Sequence, residues 1–233
     1  DINMLLLIKR NLLIFLSKIW YLILAMLCIC IFFFTQYNSL KYFDNNFIYI
    51  ISGVDNTVGT FLLISLTLVI NSIYLLYTYY LYSYDIFKCK EAIFLRISYK
   101  KWITANIISN CIIDFIISLI TITLLLIYSF VVNTNVEIGI ITLIIIYLSK
   151  LAMQFIYLLI IKFTGNYGSI LMFLILLIGL LFKTKSIIYI YSLTSSLNNY
   201  IILLILLTIN VVLILINIYL KDNNLVMRGE MEK

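Results

Sequence analysis

The sequence predicts an all-α membrane protein with six transmembrane helices, both termini in the cytoplasm, and an interfacial helix ahead of the first span. Three observations support this class: composition, the lengths of the apolar runs, and the distribution of Lys and Arg. Hydrophobic residues occupy 64% of the 233 positions and charged residues 11%, whereas globular domains average about 45–50% and about 25%. Pro is absent, as expected of long uninterrupted helices.

Six apolar runs are long enough, or nearly long enough, to cross a hydrocarbon core of about 30 Å at a rise of about 1.5 Å per residue. The fifth run is shorter than the others. The chain is therefore expected to form a single transmembrane domain over residues 1–233. Its predicted spans are residues 19–35, 58–80, 103–132, 138–161, 169–182 and 200–220.

The orientation follows from the basic residues. Of the 16 Lys and Arg residues, all but four fall at the two chain ends, in the 81–102 loop or after the fourth span. The exceptions are Lys41, Lys183 and Lys185 on the opposite side, and Lys150 within a span. Since basic loops stay in the cytoplasm, both termini are placed there. The net charge of +6 then reflects topology, and no nucleic-acid partner is expected.

Residues 2–18 are predicted to form a helix in the plane of the lipid headgroups. At about 100° per residue, Asn3, Arg10 and Ser17 fall on one line with Asn11 beside it, and most other positions are apolar. A narrow polar stripe on an apolar helix favours the headgroup region. The alternative is that this helix extends the first span, with its Lys side chains reaching the interface.

The loop between the second and third spans predicts an amphipathic cytoplasmic helix over residues 84–101. An apolar face outside the bilayer must be buried against a partner protein or against the lipid interface. The apolar face has helical spacing and comprises Ile86, Cys89, Ile93 and Ile97. The charged positions, expected to be available to water or to a partner, are Asp85, Lys88, Glu91 and Arg96.

Two charged residues fall inside predicted spans, Asp114 in the third and Lys150 in the fourth. A charge at mid-span costs about 2.5–3.5 kcal/mol on the insertion scale. One hypothesis is that both face the protein interior and pair across neighbouring antiparallel helices. The alternative is that Lys150 reaches the interface while Asp114 caps a helix or meets water.

The segment 183–199 follows the short fifth span and is too short in its apolar part to cross the bilayer. It is predicted either to dip back into the membrane, with Ser and Thr side chains bonding its backbone, or to form an ordinary extracellular loop.

No residues suited to catalysis or cofactor binding stand out. The chain has no His, and its nearest approach to a phosphate-binding loop, Gly165 to Gly168, lacks the lysine. The four cysteines are too scattered to form a zinc set. The sequence therefore predicts a protein that is not an enzyme and carries no cofactor or metal of its own.

The predicted topology and the stretch 91–106, EAIFLRISYKKWITAN, resemble the membrane subunits of type-2 ATP-binding-cassette (ABC) exporters. In that family a Glu precedes a Leu-rich turn, a Ser with basic neighbours and the start of the third span. The family's usual Gly-Thr after the acidic residue and its proline before the serine are missing here.

The resemblance implies a permease subunit in a bacterial plasma membrane, working with a second copy or a related permease and with a separate cytoplasmic ATPase. ATP and Mg²⁺ would bind that ATPase, not this chain. The substrate would be hydrophobic or amphipathic, with a peptide such as a toxin or an antimicrobial peptide as the expected kind. Membrane lipid would surround the subunit. The 84–101 segment would be the coupling helix, and the residues implied to contact the ATPase are Ile86, Phe87, Lys88, Glu91, Phe94 and Arg96.

Three alternatives remain from the sequence. A permease for polysaccharide or teichoic acid would share the topology and use aromatic residues to contact sugars. The 19 Tyr residues are compatible with that function. A secondary transporter would usually show paired broken helices. A membrane sensor would need neither the aromatic residues nor the broken helices.

Overall fold

A computed structural model describes residues 4–35, 69, 71–72, 75–78, 80, 85, 97–132, 140–181 and 199–220. Helices make up this part of the chain, which contains no β-strand, so the all-α class is confirmed. The helices are α1 (Met4–Thr35), α2 (Tyr99–Val132), α3 (Ile140–Thr164), α4 (Gly168–Leu181) and α5 (Asn199–Tyr219), with a 3-10 turn at Gly165–Tyr167. The described residues between 69 and 80 are also helical.

Within the described part of the chain, three helices are long and apolar enough to cross a membrane: Tyr99–Thr123 in α2, Leu143–Thr164 in α3 and Tyr200–Tyr219 in α5. They coincide with the third, fourth and sixth predicted spans. Large apolar side chains such as Leu204 and Val211 are exposed on α5, as expected of a helix whose solvent is lipid. These features indicate a membrane protein, whereas the six-span count stays a prediction.

Helix α1 runs without a break through the predicted interfacial helix and the predicted first span. Its buried line consists of Leu7, Asn11 and Phe15, each four residues apart, and packs against α2. The predicted polar stripe is therefore divided, because Asn11 is buried in the protein while Ser17 is exposed. The location of the first half of α1 in the headgroup plane stays a prediction.

Helix α3 lies at the centre of the described bundle and contacts α2, α4 and α5. Its closest neighbour is α5. The Asn210 side-chain amide donates to the Leu148 carbonyl at 2.9 Å, and that of Asn217 donates to the Phe155 carbonyl at 3.1 Å. Both partners advance by seven residues, about two helical turns, so α3 and α5 run parallel in a fixed register.

Helix α2 runs antiparallel to α3. The Lys162 Nζ atom, at the end of α3, lies 5.7 Å from the centre of the Tyr99 ring at the start of α2. Further along α2, Asp114 bonds to Gln154, which precedes Lys162 on α3. A contact that lies later in α2 therefore lies earlier in α3, as expected of antiparallel helices.

A tight turn joins α3 to α4 and requires glycine at two positions. Gly165 has a φ of 60°, a left-handed conformation that costs other L-residues about 1–2 kcal/mol. A Cβ atom on Gly168 would lie 3.0 Å from the Ile161 Cα atom. These two glycines therefore allow the chain to turn between α3 and α4.

Replacing Gly165 by Ala is expected to lower the free energy of unfolding by about 1 kcal/mol, because Ala must adopt the strained φ. Gly168→Val should cost more, since the Ile161 backbone is in the way. Thermal unfolding of the purified protein in mild detergent measures both effects. Tyr167→Ala is the control from the same turn, because Tyr167 is exposed. Equal stability of the Gly165→Ala and Tyr167→Ala variants would contradict this account of the turn.

Candidate functional site

A buried polar network ties α1 to α2 at one end of the bundle. An Arg10 guanidinium nitrogen lies 2.7 Å from Asp85 Oδ2, forming a salt bridge. The Trp102 indole N–H donates to the same oxygen at 2.7 Å, and Arg10 also donates to Asn11 Oδ1 at 2.8 Å. We name this network the Arg10 cluster, consisting of Arg10, Asn11, Tyr77, Asp85, Trp102, Asn106 and Ser109.

Asn11 is the centre of the Arg10 cluster and is completely buried. Its side-chain amide donates to Asn106 Oδ1 at 2.7 Å and to Ser109 Oγ at 3.2 Å, both on α2. Its backbone carbonyl accepts a hydrogen bond from the Tyr77 hydroxyl at 2.6 Å. One asparagine thus connects α1 with α2 and with the helical segment that contains Tyr77.

The prediction that Asp85 is available to water or to a partner is wrong, because its side chain is completely buried within this chain. Burial raises the pKa of the Asp85 carboxyl above its usual value, and the Arg10 charge and the hydrogen bonds from Trp102 and Arg10 oppose that rise. Burial of the Asp85 carboxylate therefore carries a desolvation cost, and the salt bridge and hydrogen bonds from Arg10 and Trp102 offset only part of it. Without either partner, the buried carboxylate would be strongly unfavourable.

A second polar group, which we name the Lys150 cluster, contains Asn71, Asp114, Lys150 and Gln154. Lys150 and Asp114 are both buried in the protein. Lys150 Nζ donates to Asn71 Oδ1 at 2.6 Å, and the Gln154 amide donates to Asp114 Oδ1. The cluster joins α2, α3 and the segment around Asn71. Each ionisable group is thus bonded to a neutral amide from another helix.

The two predicted intramembrane charges are therefore placed in one cluster. Asp114 and Lys150 lie close enough for their charges to attract, and Gln154, one turn beyond Lys150 on α3, supplies the hydrogen bond to Asp114. Their direct pairing stays a prediction.

The two clusters are connected by a buried polar stripe along α2. The stripe consists of Asn106, Asn110, Asp114 and Ser118, which recur at every fourth residue and are all buried. Asn106 and Ser118 are 12 positions apart, which corresponds to about 18 Å of helix. Of these four, the predicted intramembrane charges include Asp114. The other three are marked in the sequence by the recurrence of short polar side chains at every fourth position of an apolar run.

The ends of three helices meet near the Arg10 cluster. Lys162 Nζ donates to the Asn217 carbonyl in the last turn of α5, a favourable position for a cation at a helix C-terminus. The Tyr99 hydroxyl donates to the Leu220 carbonyl at 3.3 Å, and Lys100 lies 5.5 Å from the Tyr219 ring. The start of α2 and the ends of α3 and α5 therefore share one end of the bundle.

The predicted coupling residues lie outside the described residues: Ile86, Phe87, Lys88, Glu91, Phe94 and Arg96. The structure does describe both flanks of this segment, and Asp85 and Ile97 are buried. It also shows that residues 99–101 belong to α2, because the Ser98 carbonyl accepts the first helical hydrogen bond, from Trp102 N at 3.1 Å. The predicted helix over residues 84–101 stays a prediction. The predicted dipping segment also falls outside the described part of the chain, up to residue 198.

Comparison with protein-family models, with curated proteins and with solved structures finds no match to this chain.

Proposed function

We propose that this chain is the permease subunit of an ABC exporter, paired with a second copy or a related permease and driven by a separate cytoplasmic ATPase. The observation that carries the proposal is the anchoring of the predicted coupling segment at both ends. Asp85, on one side, is bonded to Arg10 of α1 and Trp102 of α2. Ile97, on the other side, is buried just before α2 begins.

This anchoring gives a route for mechanical work. A load applied by an ATPase to residues 86–96 would reach α1 through Arg10 and α2 through Trp102, since both bond the same carboxylate oxygen. Because packed elements move as rigid bodies, the two helices would respond together. The exported substrate would be an amphipathic peptide, and the subunit would lie in a bacterial plasma membrane.

The helix directions support the six-span topology that the proposal needs. With both termini in the cytoplasm, the third span runs outward while the fourth and sixth run inward. The antiparallel arrangement of α2 with α3, and the parallel arrangement of α3 with α5, have this pattern. The helix ends that meet near the Arg10 cluster carry Lys100 and Lys162, as expected of a cytoplasmic side.

The proposal is tested by purifying the tagged chain from its native membrane in mild detergent. We expect a soluble ATPase to co-purify and the complex to hydrolyse ATP. The double variant Glu91→Ala with Arg96→Ala should reduce the recovered ATPase at least about tenfold, the loss expected when two contact residues are truncated.

The matched control replaces two charges on the opposite predicted side, Lys183→Ala with Lys185→Ala, and should recover ATPase as the wild type does. The coupling role is overturned if the Glu91 and Arg96 variant retains the ATPase. The permease assignment is overturned if the wild-type chain purifies alone even after cross-linking in the membrane.

A further inference from the structure

Asp114 is bonded on one side only. Its Oδ1 atom accepts a hydrogen bond from Gln154, whereas its Oδ2 atom is buried without a hydrogen-bond partner. An ionised carboxylate has about four acceptor positions, and leaving them empty away from water is costly. The surroundings of Asp114 therefore leave one carboxyl oxygen in need of a donor or a proton.

A second unbonded acceptor lies on the same helix face. Asn110 precedes Asp114 by one turn, so their Cβ atoms are about 5–6 Å apart. The Asn110 Oδ1 atom is also buried without a hydrogen-bond partner. A single proton satisfies both atoms, because a protonated Oδ2 becomes a donor for which Asn110 Oδ1 is a suitable acceptor.

The ionised form of Asp114 has a different source of stability. Lys150 lies near enough to attract the negative charge, although its ammonium group bonds to Asn71 Oδ1 at 2.6 Å. The neutral acid would thus be favoured by a hydrogen bond to Asn110, and the carboxylate is favoured by the charge of Lys150. The cluster offers a stable arrangement to each of two states that differ by one proton.

We propose that Asp114 is a proton-binding site within the membrane-spanning helices, and that it shares the bound proton with Asn110. In the binding step, a proton from water joins the carboxylate and forms the Oδ2–H bond; release returns it to water. Binding changes the net charge of the Lys150 cluster by one unit at the contact between α2 and α3. This function goes beyond a permease role and does not depend on an ATPase.

Among the described residues, three other titratable groups are close enough to feel the charge of Asp114. Lys150 and Tyr147 belong to α3, and Cys111 belongs to α2. The Tyr147 hydroxyl donates to the backbone carbonyl of Cys111 at 3.0 Å, which positions both beside the stripe. Lys150 is the one of these groups that carries a positive charge, so its removal should have the largest effect on proton binding.

Infrared difference spectroscopy of the full chain in lipid vesicles tests the proposal directly. As the pH is stepped, wild-type protein should show a carboxylic-acid carbonyl band that appears and disappears reversibly. The band should be missing in Asp114→Asn, which keeps the side-chain shape. It should remain in Asp222→Asn, which removes a carboxylate after the sixth predicted span. The proposal fails if Asp114→Asn leaves every titrating band in place.

Two further variants test the shared proton. Asn110→Leu removes the acceptor while roughly keeping the volume, and should weaken proton binding about tenfold, the value of one hydrogen bond. Lys150→Met removes the charge that favours the carboxylate, and should strengthen proton binding at least about tenfold. If the Asn110 amide instead donates to the carboxylate, Asn110→Leu strengthens proton binding, and that sign overturns the arrangement proposed here.

Discussion

Replacing Trp102 by Ala is expected to destabilise the protein by about 3–5 kcal/mol, the usual range for truncating a buried aromatic side chain. Trp102 is 0% exposed, and its ring packs 5.7 Å from the ring of Tyr99. The substitution would leave a cavity at the start of α2. It would also remove the indole N–H that bonds Asp85, so a buried carboxylate would lose one of its two donors.

The chain provides a matched control, because its other tryptophan, Trp20 on α1, is 67% exposed. Trp20→Ala should change the free energy of unfolding by about 0.5 kcal/mol or less. Trp102→Phe keeps most of the volume and should cost about 1–3 kcal/mol through the lost hydrogen bond. Denaturant unfolding followed by circular dichroism compares the three variants. Similar losses for Trp20→Ala and Trp102→Ala would show that the burial of Trp102 is wrong.

Replacing Arg10 by Ala should produce the second large loss, about 3 kcal/mol. Removing one partner of a buried ion pair typically costs about 3–5 kcal/mol, and the lower end applies because the Arg10 side chain is 30% exposed. Asp85 would keep its charge in a buried position with Trp102 as the remaining donor. Asn11 Oδ1 would lose the hydrogen bonds from Arg10 as well.

Lys9→Ala is the matched control for Arg10→Ala, since it removes an adjacent positive charge that is exposed. It should leave the unfolding midpoint nearly unchanged. The double variant Arg10→Met with Asp85→Leu should recover much of the lost stability, because apolar replacement of a whole buried pair is often neutral or stabilising. If Arg10→Ala is no less stable than Lys9→Ala, the salt bridge contributes nothing to the fold.

The described helices could largely be predicted from the apolar runs. The sequence predicts spans at 169–182 and 200–220, and the structure has Gly168–Leu181 and Asn199–Tyr219. The agreement is close because polar residues and glycine end these runs sharply, and helix is the only local structure that bonds all its backbone groups in lipid. The burial of Asp114 was one of two alternatives that the sequence allowed.

The partners of the polar side chains could not be predicted in the same way. Asp85 bonds Arg10, which lies 75 positions away in the sequence, and no local pattern indicates which of the basic residues it would meet. The sequence predicts that Asn11 belongs to a polar stripe facing the headgroups, since helical periodicity gives the spacing of a face but not what that face contacts. In a lipid environment an apolar face points outward, so a buried face can be marked by its polar residues.

The two asparagine bonds between α5 and α3 have a consequence for biogenesis. An amide N–H in lipid without a hydrogen-bond partner costs several kcal/mol. The side-chain amides of Asn210 and Asn217 each donate to a carbonyl of α5 itself and to a carbonyl of α3. The α3 carbonyls belong to the helix that is synthesised first. Lateral release of α5 from the insertion machinery into the membrane is therefore favoured when α3 is already in place beside it. A misplaced α3 would leave one N–H of each amide facing acyl chains, a defect that membrane quality control could recognise.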